Sequence, residues 1–224
     1  MDFRVIIDNF GYLYAGLVET IWLSVMAGFW SLAIGTILGM ARLAKSQFIR
    51  HPVTLYIEMM RSTPLIMVIF WVFFFLPKIV QMPLNPRVSG LVALIAFYAS
   101  NMAEIVRAGI QSIPKGQFEA ASSSGLTYIE TMRFVILPQA IRNMIPVFLT
   151  RFVALFMGTS LLYIIGVVEF FRAATIVTSR EFRPVELYAF VALVYFVLCF
   201  AMSEVAAWLG RRLSTGRVES GVGW

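Results

Sequence analysis

Ile21-Trp22-Leu23-Ser24-Val25-Met26-Ala27-Gly28-Phe29-Trp30-Ser31-Leu32-Ala33-Ile34-Gly35-Thr36-Ile37-Leu38-Gly39-Met40 runs for twenty residues without a charge. A helix of about 20 apolar residues is what the hydrocarbon core of a bilayer requires, whereas a buried core helix seldom holds so long a charge-free run. The composition extends this reading to the whole chain. Of 224 residues, 60% are hydrophobic and 13% are charged, against roughly 25% charged in an ordinary soluble domain. The chain is a polytopic membrane protein.

Moving outward from 21–40, the charge-free intervals recur. Residues 62–77, rich in Phe and Trp, and residues 88–103 each give 16 uncharged positions, so each span borrows from its flanks. Between Arg142 and Glu169 only Arg151 interrupts, and 17 uncharged residues separate Glu186 from Glu204. The expectation is an all-α bundle of five transmembrane helices. An odd number puts the termini on opposite sides. The segments sharing a side with the C-terminus hold Arg42, Lys45, Arg50, Arg61, Arg107, Lys115, Arg133, Arg142, Arg211, Arg212 and Arg217. The other side holds Arg4, Lys78, Arg87, Arg172, Arg180 and Arg183, the last three balanced by Glu169, Glu181 and Glu186. Because Lys and Arg gather on cytoplasmic loops, the N-terminus is expected outside and the C-terminus in the cytoplasm.

Several function classes fall away. The net charge of +6 is explained by topology rather than by nucleic acid. A single histidine and a single cysteine, Cys199 in an apolar run, build neither a metal site nor a disulfide framework. No nucleophile and base pair, phosphate loop or metal spacing is present, so no catalytic residue is expected. The start, Met1-Asp2-Phe3-Arg4, lacks the basic region of a cleaved signal, and the first apolar segment is expected to stay in the mature protein. One membrane domain is expected over 1–213, followed by a polar tail, 214–224.

One polar interval is long enough to make a structure of its own: Glu119-Ala120-Ala121-Ser122-Ser123-Ser124-Gly125, followed after nine residues by Val135-Ile136-Leu137-Pro138. Pro114, Lys115 and Gly116 break what precedes it, and Gln117-Phe118-Glu119-Ala120-Ala121 consists largely of helix formers without an apolar run. A short surface helix on the cytoplasmic side follows. Gly125 costs about 1 kcal/mol inside a helix, so it either ends this one or lets another backbone approach.

The pattern Glu-Ala-Ala, three residues, Gly, nine residues and apolar-x-Leu-Pro resembles the cytoplasmic loop of ABC importer permeases, with Val135 where Ile is common. Ala103-Glu104-Ile105-Val106-Arg107-Ala108-Gly109-Ile110-Gln111-Ser112-Ile113-Pro114-Lys115-Gly116-Gln117 is similar to the polar amino acid permeases of type I importers. Arg61-Ser62-Thr63-Pro64-Leu65 and Thr159-Ser160-Leu161-Leu162 match two further markers. The resemblance spans about 61–172 and includes the glutamate/aspartate, glutamine and histidine permeases. It implies a multi-pass protein of the bacterial cytoplasmic (inner) membrane that moves polar amino acids by alternating access. It further implies a dimer of separate ATPase subunits that bind ATP and Mg, a second permease chain, identical or homologous, and an extracellular or periplasmic solute-binding protein. No cofactor is expected in this chain. Gln117, Glu119, Ala120, Ala121 and Gly125 are the implied ATPase-coupling residues. An ion-gradient-driven carrier is the other class, but the inverted repeats common there are not found.

Arg151 falls in the middle of the fourth expected span, where a charge costs about 2.5 to 3.5 kcal/mol unless it faces a cavity or partner. Gly158 lies seven residues on and on nearly the same helix face, followed by Thr159 and Ser160. Arginine takes a carboxylate in two-point fashion, so Arg151, Gly158, Thr159 and Ser160 are the candidate substrate contacts. Many relatives place Asp before Thr-Ser or Ser-Ser. Its absence at Gly158 beside a basic Arg151 leans toward acidic or amide amino acids, with basic ones as the alternative. Two other readings of Arg151 stay open: an ion pair to an acid such as Glu104, or a place nearer an interface. Glu104 and Arg107, three apart near a span end, are expected to form a structural ion pair.

Overall fold

The computed structural model describes residues 3–83 and 85–214, and among these every regular element is helical. The order is α1 (Arg4–Asp8), α2 (Phe10–Arg42), α3 (Gln47–Ser62), α4 (Leu65–Val80), α5 (Pro86–Gln111), α6 (Lys115–Ser123) and α7 (Tyr128–Glu130). A π-helical segment (Thr131–Ile136) then leads into α8 (Leu137–Gly158) and a 3₁₀ segment (Thr159–Ile165), before α9 (Phe170–Glu181) and α10 (Pro184–Ser214). Four stretches are long and apolar enough to cross a membrane: α2, α5, the continuous run Tyr128–Ile165, and α10. A fifth is the pair α3 and α4, bent by 112° at Thr63-Pro64. The expected all-α bundle is therefore present, with five spans among the described residues when the bent α3–α4 pair counts as one. The boundary expected at 213/214 falls at the end of α10, and 215–224 lie outside the described residues.

What brings the helices together is a stripe of small residues on α2. Gly16, Thr20, Ser24, Ala27, Ser31, Gly35 and Gly39 are buried at steps of three or four, one helical face. Apolar side chains gain little by leaving lipid, so membrane helices associate mainly where small residues let backbones approach and dispersion contacts accumulate. The partner is α5, with Ala93, Ala99 and Ala103 buried along it. At Gly35 an added Cβ would lie 2.5 Å from Met102 Cβ and 2.8 Å from the Ala99 carbonyl oxygen; at Gly39 it would lie 2.7 Å from the Ala103 carbonyl oxygen. The α2 backbone rests on both backbone and side-chain atoms of α5, with no room for a methyl group. Ser31 Oγ donates to the Ile95 carbonyl at 3.4 Å across the same seam.

The remaining helices hang on this pair through three apolar clusters. The middle one joins Leu23 and Ala27 of α2, Val68 and Ile69 of α4, Leu94 and Tyr98 of α5, and Leu155 and Leu162 of the α8 run. Another lies at the end of the bundle where α1, α9 and α10 meet, and the third joins the last turns of α5 to the π segment and α8. Start signals are local. Asn85 Oδ1 accepts from the Arg87 N–H at 2.9 Å with Pro86 in the first turn of α5. Buried Glu169 caps α9 by accepting from the Phe171 and Arg172 amides at 2.9 and 2.7 Å. Burial pushes its carboxyl up to about 7, opposed by those two amides.

Two elements were hidden by their charges. Helix α3 carries Arg50, Glu58 and Arg61, and α9 carries Arg172, Arg180 and Glu181, so neither forms a charge-free run. Both are amphipathic helices flanking the spans rather than plain connections.

Replacing Gly35 by Leu is expected to lower the thermal midpoint of the detergent-solubilised protein at the upper end of the 1 to 3 kcal/mol typical of overpacking, because backbone atoms of α5 cannot yield. Gly11→Leu on the same helix, with nothing within 4 Å of its added Cβ, is the control and should leave the midpoint in place. Equal midpoints for both variants would contradict the seam.

Candidate functional site

The polar strap between α5 and α8 is built from caps. Helix α6 ends in a Schellman arrangement: the Leu126 amide donates to the Ala121 carbonyl at 3.2 Å, and Gly125 between them has φ 81°. Nothing lies within 4 Å of an added Gly125 Cβ, so glycine serves here for its left-handed backbone rather than for space. Thr127 and Glu130 then form a reciprocal capping box, Glu130 Oε2 accepting the Thr127 N–H at 2.8 Å. The chain re-enters the bundle through the π turn at Thr131–Ile136. Pro138 has no N–H to return to Phe134, and the wider turn before it absorbs that missing bond.

The strap is tied at both ends. Asn143 Nδ2 donates to Ser112 Oγ at 3.1 Å, and Gln139 Nε2 donates to Gln117 Oε1 at 3.2 Å. A displacement of α6 therefore pulls on α8 directly and on α5 through Ser112. Ala121 is buried against the bundle, while Gln117, Glu119, Ala120 and Gly125 are exposed. The exposed face is small and polar, open to a partner.

At the same end α2, α3 and α5 are joined by charge. Glu104 pairs with Arg107 at 2.5 Å, with Arg42 at 2.6 Å and with Arg61 at 3.6 Å, and Arg42 also reaches Glu58 at 2.5 Å. The pair three residues apart on α5 is thus the centre of a five-residue network. From the sequence Arg42 and Arg61 enter only the charge count and, for Arg61, a family marker, and Glu58 is not noted; none is read as a partner of Glu104. At the opposite end Arg87 forks onto Glu19, its guanidinium 3.8 Å from the centre of the Trp22 ring.

Arg151 stands midway along Leu137–Ile165, exposed at the surface of this chain. It forms no ion pair with an acid among the described residues, and Glu104 is committed to three other arginines. Its neighbour is Tyr98 of α5, close enough for the two groups to interact electrostatically. The Tyr98 hydroxyl donates to the Ala154 carbonyl at 2.8 Å, one turn along from Arg151, and would lie 2.6 Å from a Cβ on Gly158. Gly158 thus gives the tyrosine its seat, and an acid there would displace it. Arg151 and Gly158 of α8 and Tyr98 of α5 thus lie along one line where the two helices meet.

The two hydroxyls that follow go elsewhere. Thr159 is fully buried, donating to the Phe156 carbonyl at 2.7 Å. Ser160 donates to the Met157 carbonyl at 2.7 Å and opens on a cavity of about 440 Å³ with Phe171, Tyr188 and Tyr195. Tyr98 was not anticipated as part of the line. Its signal was an aromatic hydroxyl in the middle of a charge-free span, which needs a partner in lipid.

Comparison with known proteins identifies the architecture. The family model for the binding-protein-dependent transport system inner membrane component matches residues 31–215. The glutamate/aspartate import permease protein of Escherichia coli is 37% identical over 218 residues, 94% of this chain and 97% of that one. A probable glutamine ABC transporter permease protein of Bacillus subtilis is 34% identical over 204 residues, covering 89% and 92%. A crystal structure of an amino acid ABC transporter with histidines superposes with a TM-score of 0.90 at 30% identity, over 95% of this chain and 99% of that chain.

If Gly125 acts only through its backbone, Gly125→Asn, which tolerates a left-handed conformation, should preserve the strap, and Gly125→Val should loosen it by on the order of 1 to 2 kcal/mol. Hydrogen exchange of the amides at 121–127 measures this. Equal exchange in the two variants would show that the positive φ does not hold the turn.

Proposed function

The chain belongs to the binding-protein-dependent inner membrane permeases of ABC importers, and we propose that its line of Arg151, Tyr98 and Gly158 carries acidic or amide amino acids. A permease of this family supplies the membrane path for ATP-driven import, while ATP hydrolysis lies in separate subunits; an ion-gradient-driven carrier is not favoured. The reading of the substrate rests on one observation: a guanidinium in mid-span with no acid paired to it among the described residues. An unpaired charge at that depth is costly, and an anionic ligand relieves the cost when it arrives. A substrate carboxylate fits the planar fork at two points, and a glycine at 158 leaves no carboxylate to repel it. The named specificities of the two relatives, glutamate/aspartate and glutamine, agree with this lean.

The remaining assignments follow from the same reading. Ser160 borders the neighbouring cavity, and Thr159 supports the helix end behind it. The basic end of the bundle, with the Glu104 network and α6, faces the cytoplasm, and the N-terminus faces outward. There the exposed Gln117, Glu119 and Ala120 dock an ATPase subunit of a pair that binds ATP and Mg. A second permease chain, identical or homologous, completes the path, since one chain leaves Arg151 open on its surface. A solute-binding protein delivers the amino acid from outside. Closure of the ATPase pair on ATP moves α6, and the tie of Gln139 to Gln117 passes that motion to α8.

Arg151→Ala is expected to reduce glutamate or glutamine uptake efficiency roughly ten- to a hundredfold, the worth of a charge-assisted hydrogen bond of about 1.5 to 3 kcal/mol. Expression and ATPase association should be unchanged. Arg151→Lys keeps the charge without the fork and should recover part of the loss. Wild-type uptake by a stable Arg151→Ala permease would remove the binding role.

A further inference from the structure

One fully buried acid has no part in the transport reading above. Glu169 sits in the bend between the 3₁₀ segment and α9, and none of its surface is exposed. Its two carboxylate oxygens accept the Phe171 and Arg172 amides, and Oε2 lies 3.5 Å from the Tyr195 hydroxyl, which donates to it from α10. Tyr195 is where the elements around it meet. Its hydroxyl also interacts with the side chains of Thr20 of α2 and Thr159 of the 3₁₀ segment, and Thr20 Oγ1 in turn accepts the Phe170 amide at 3.0 Å. Its ring packs on Phe156 of α8 and Phe170 of α9, with 5.6 and 5.8 Å between ring centroids. The same side chain lines the cavity of about 440 Å³ onto which Ser160 opens, together with Phe171 and Tyr188. Glu169 therefore holds, through Tyr195, one wall of that cavity.

The strength of that hold depends on charge. A carboxylate offers only lone pairs and accepts from two amides and a phenol at once, whereas a neutral carboxyl has to place a proton of its own, so one of the three donors loses its acceptor. Burial pushes the Glu169 carboxyl up to about 7, opposed by the two amides, by Tyr195 and by Arg172. The charged and titratable groups around it are few. Arg172, on its own helix, donates to the Tyr163 carbonyl at 3.4 Å rather than to the acid, and α10 brings Tyr195. The α2 helix and the 3₁₀ segment bring the neutral hydroxyls of Thr20 and Thr159 to the same tyrosine, while Glu19, next to Thr20, is turned onto Arg87.

We propose that Glu169 is a positioning residue of the transport path: through the Tyr195 hydroxyl it fixes the wall of the Ser160 cavity, firmly as a carboxylate and loosely once protonated. The bearing on substrate rests on Ser160 as a contact, as proposed above; the link from Glu169 to Tyr195 does not. The sign follows from the raised value. The hold is complete above about pH 7 and is lost as pH falls through it.

The test uses the assembled permease and ATPase complex carrying 3-fluorotyrosine, read by fluorine NMR, with the Tyr195 resonance identified as the one missing from Tyr195→Phe. In the wild type that resonance should shift with a midpoint near pH 7, and in Glu169→Gln it should stay in place. A resonance that does not move, or that moves equally in Glu169→Gln, would overturn the link. Equilibrium binding of radiolabelled glutamine, whose amide side chain does not titrate, reads the consequence. Wild-type affinity should fall about fivefold on acidification through the midpoint, the worth of one hydrogen bond, and Glu169→Gln and Tyr195→Phe should each bind at the weaker level throughout. An acid that only stabilises the fold gives another result: lower thermal midpoints in both variants with the wild-type pH profile of binding kept. That result would overturn the positioning role. Should Glu169→Gln fail to accumulate, Tyr195→Phe, which keeps the packed ring, carries the binding comparison by itself. A wild type that binds arginine in place of glutamine sinks the acidic and amide reading instead, and the same comparison is then made with arginine.

Discussion

The rest of the structure depends on the approach of α2 to α5, where glycines 35 and 39 let one backbone rest against the other with no space for a Cβ. In water such a pair would be held by removing apolar surface from solvent, but in lipid that gain is nearly absent and closeness itself supplies the attraction. The seam runs most of the length of both helices, and the three apolar clusters build out from it. It gives the molecule a rigid spine. Outside this spine lie the strap at α6 and the α8 run that follows it, the elements that the proposed coupling moves.

That division makes sense of where polar groups are placed. Charges at the basic end are paired into a network around Glu104, so α2, α3 and α5 are locked at the surface where the strap is attached. Arg87 and Glu19 do the same at the other end. Between the two, in mid-span, Arg151 has no acidic partner among the described residues, and it lies near a tyrosine whose own hydroxyl is already given to the Ala154 carbonyl. A guanidinium without an acidic partner among the described residues, midway along the α8 run, is the observation on which the proposed carboxylate site rests. The bare charge lies on α8, which the Gln139 to Gln117 hydrogen bond ties to α6.

The spans were legible because lipid imposes a condition that a single sequence displays: long intervals without charge. The condition also misleads at its edges. Helix α2 starts eleven residues before Ile21, since Glu19 is tolerated inside it by an arginine 68 residues along the chain, and no local pattern announces that partner. Helices α3 and α9 were overlooked because the search was for gaps in charge rather than for amphipathic period. At the site, Arg151 announced itself by its depth and Gly125 by its place after a run of small helix formers. Tyr98 did not, because its role comes from packing onto a glycine 60 residues away. The hydroxyls of Thr159 and Ser160 could be read as polar groups but not aimed, since a change from α to 3₁₀ geometry at Gly158 sets their direction.

The central claim is that an unpaired guanidinium in the bundle makes this permease a path for acidic and amide amino acids. Equilibrium binding of radiolabelled glutamate and glutamine to the purified permease and ATPase complex, without its solute-binding protein, tests it most directly. The account predicts saturable binding of at least one of the two, undisturbed by excess arginine. Saturable binding of arginine, with neither glutamate nor glutamine able to bind or compete, would contradict it.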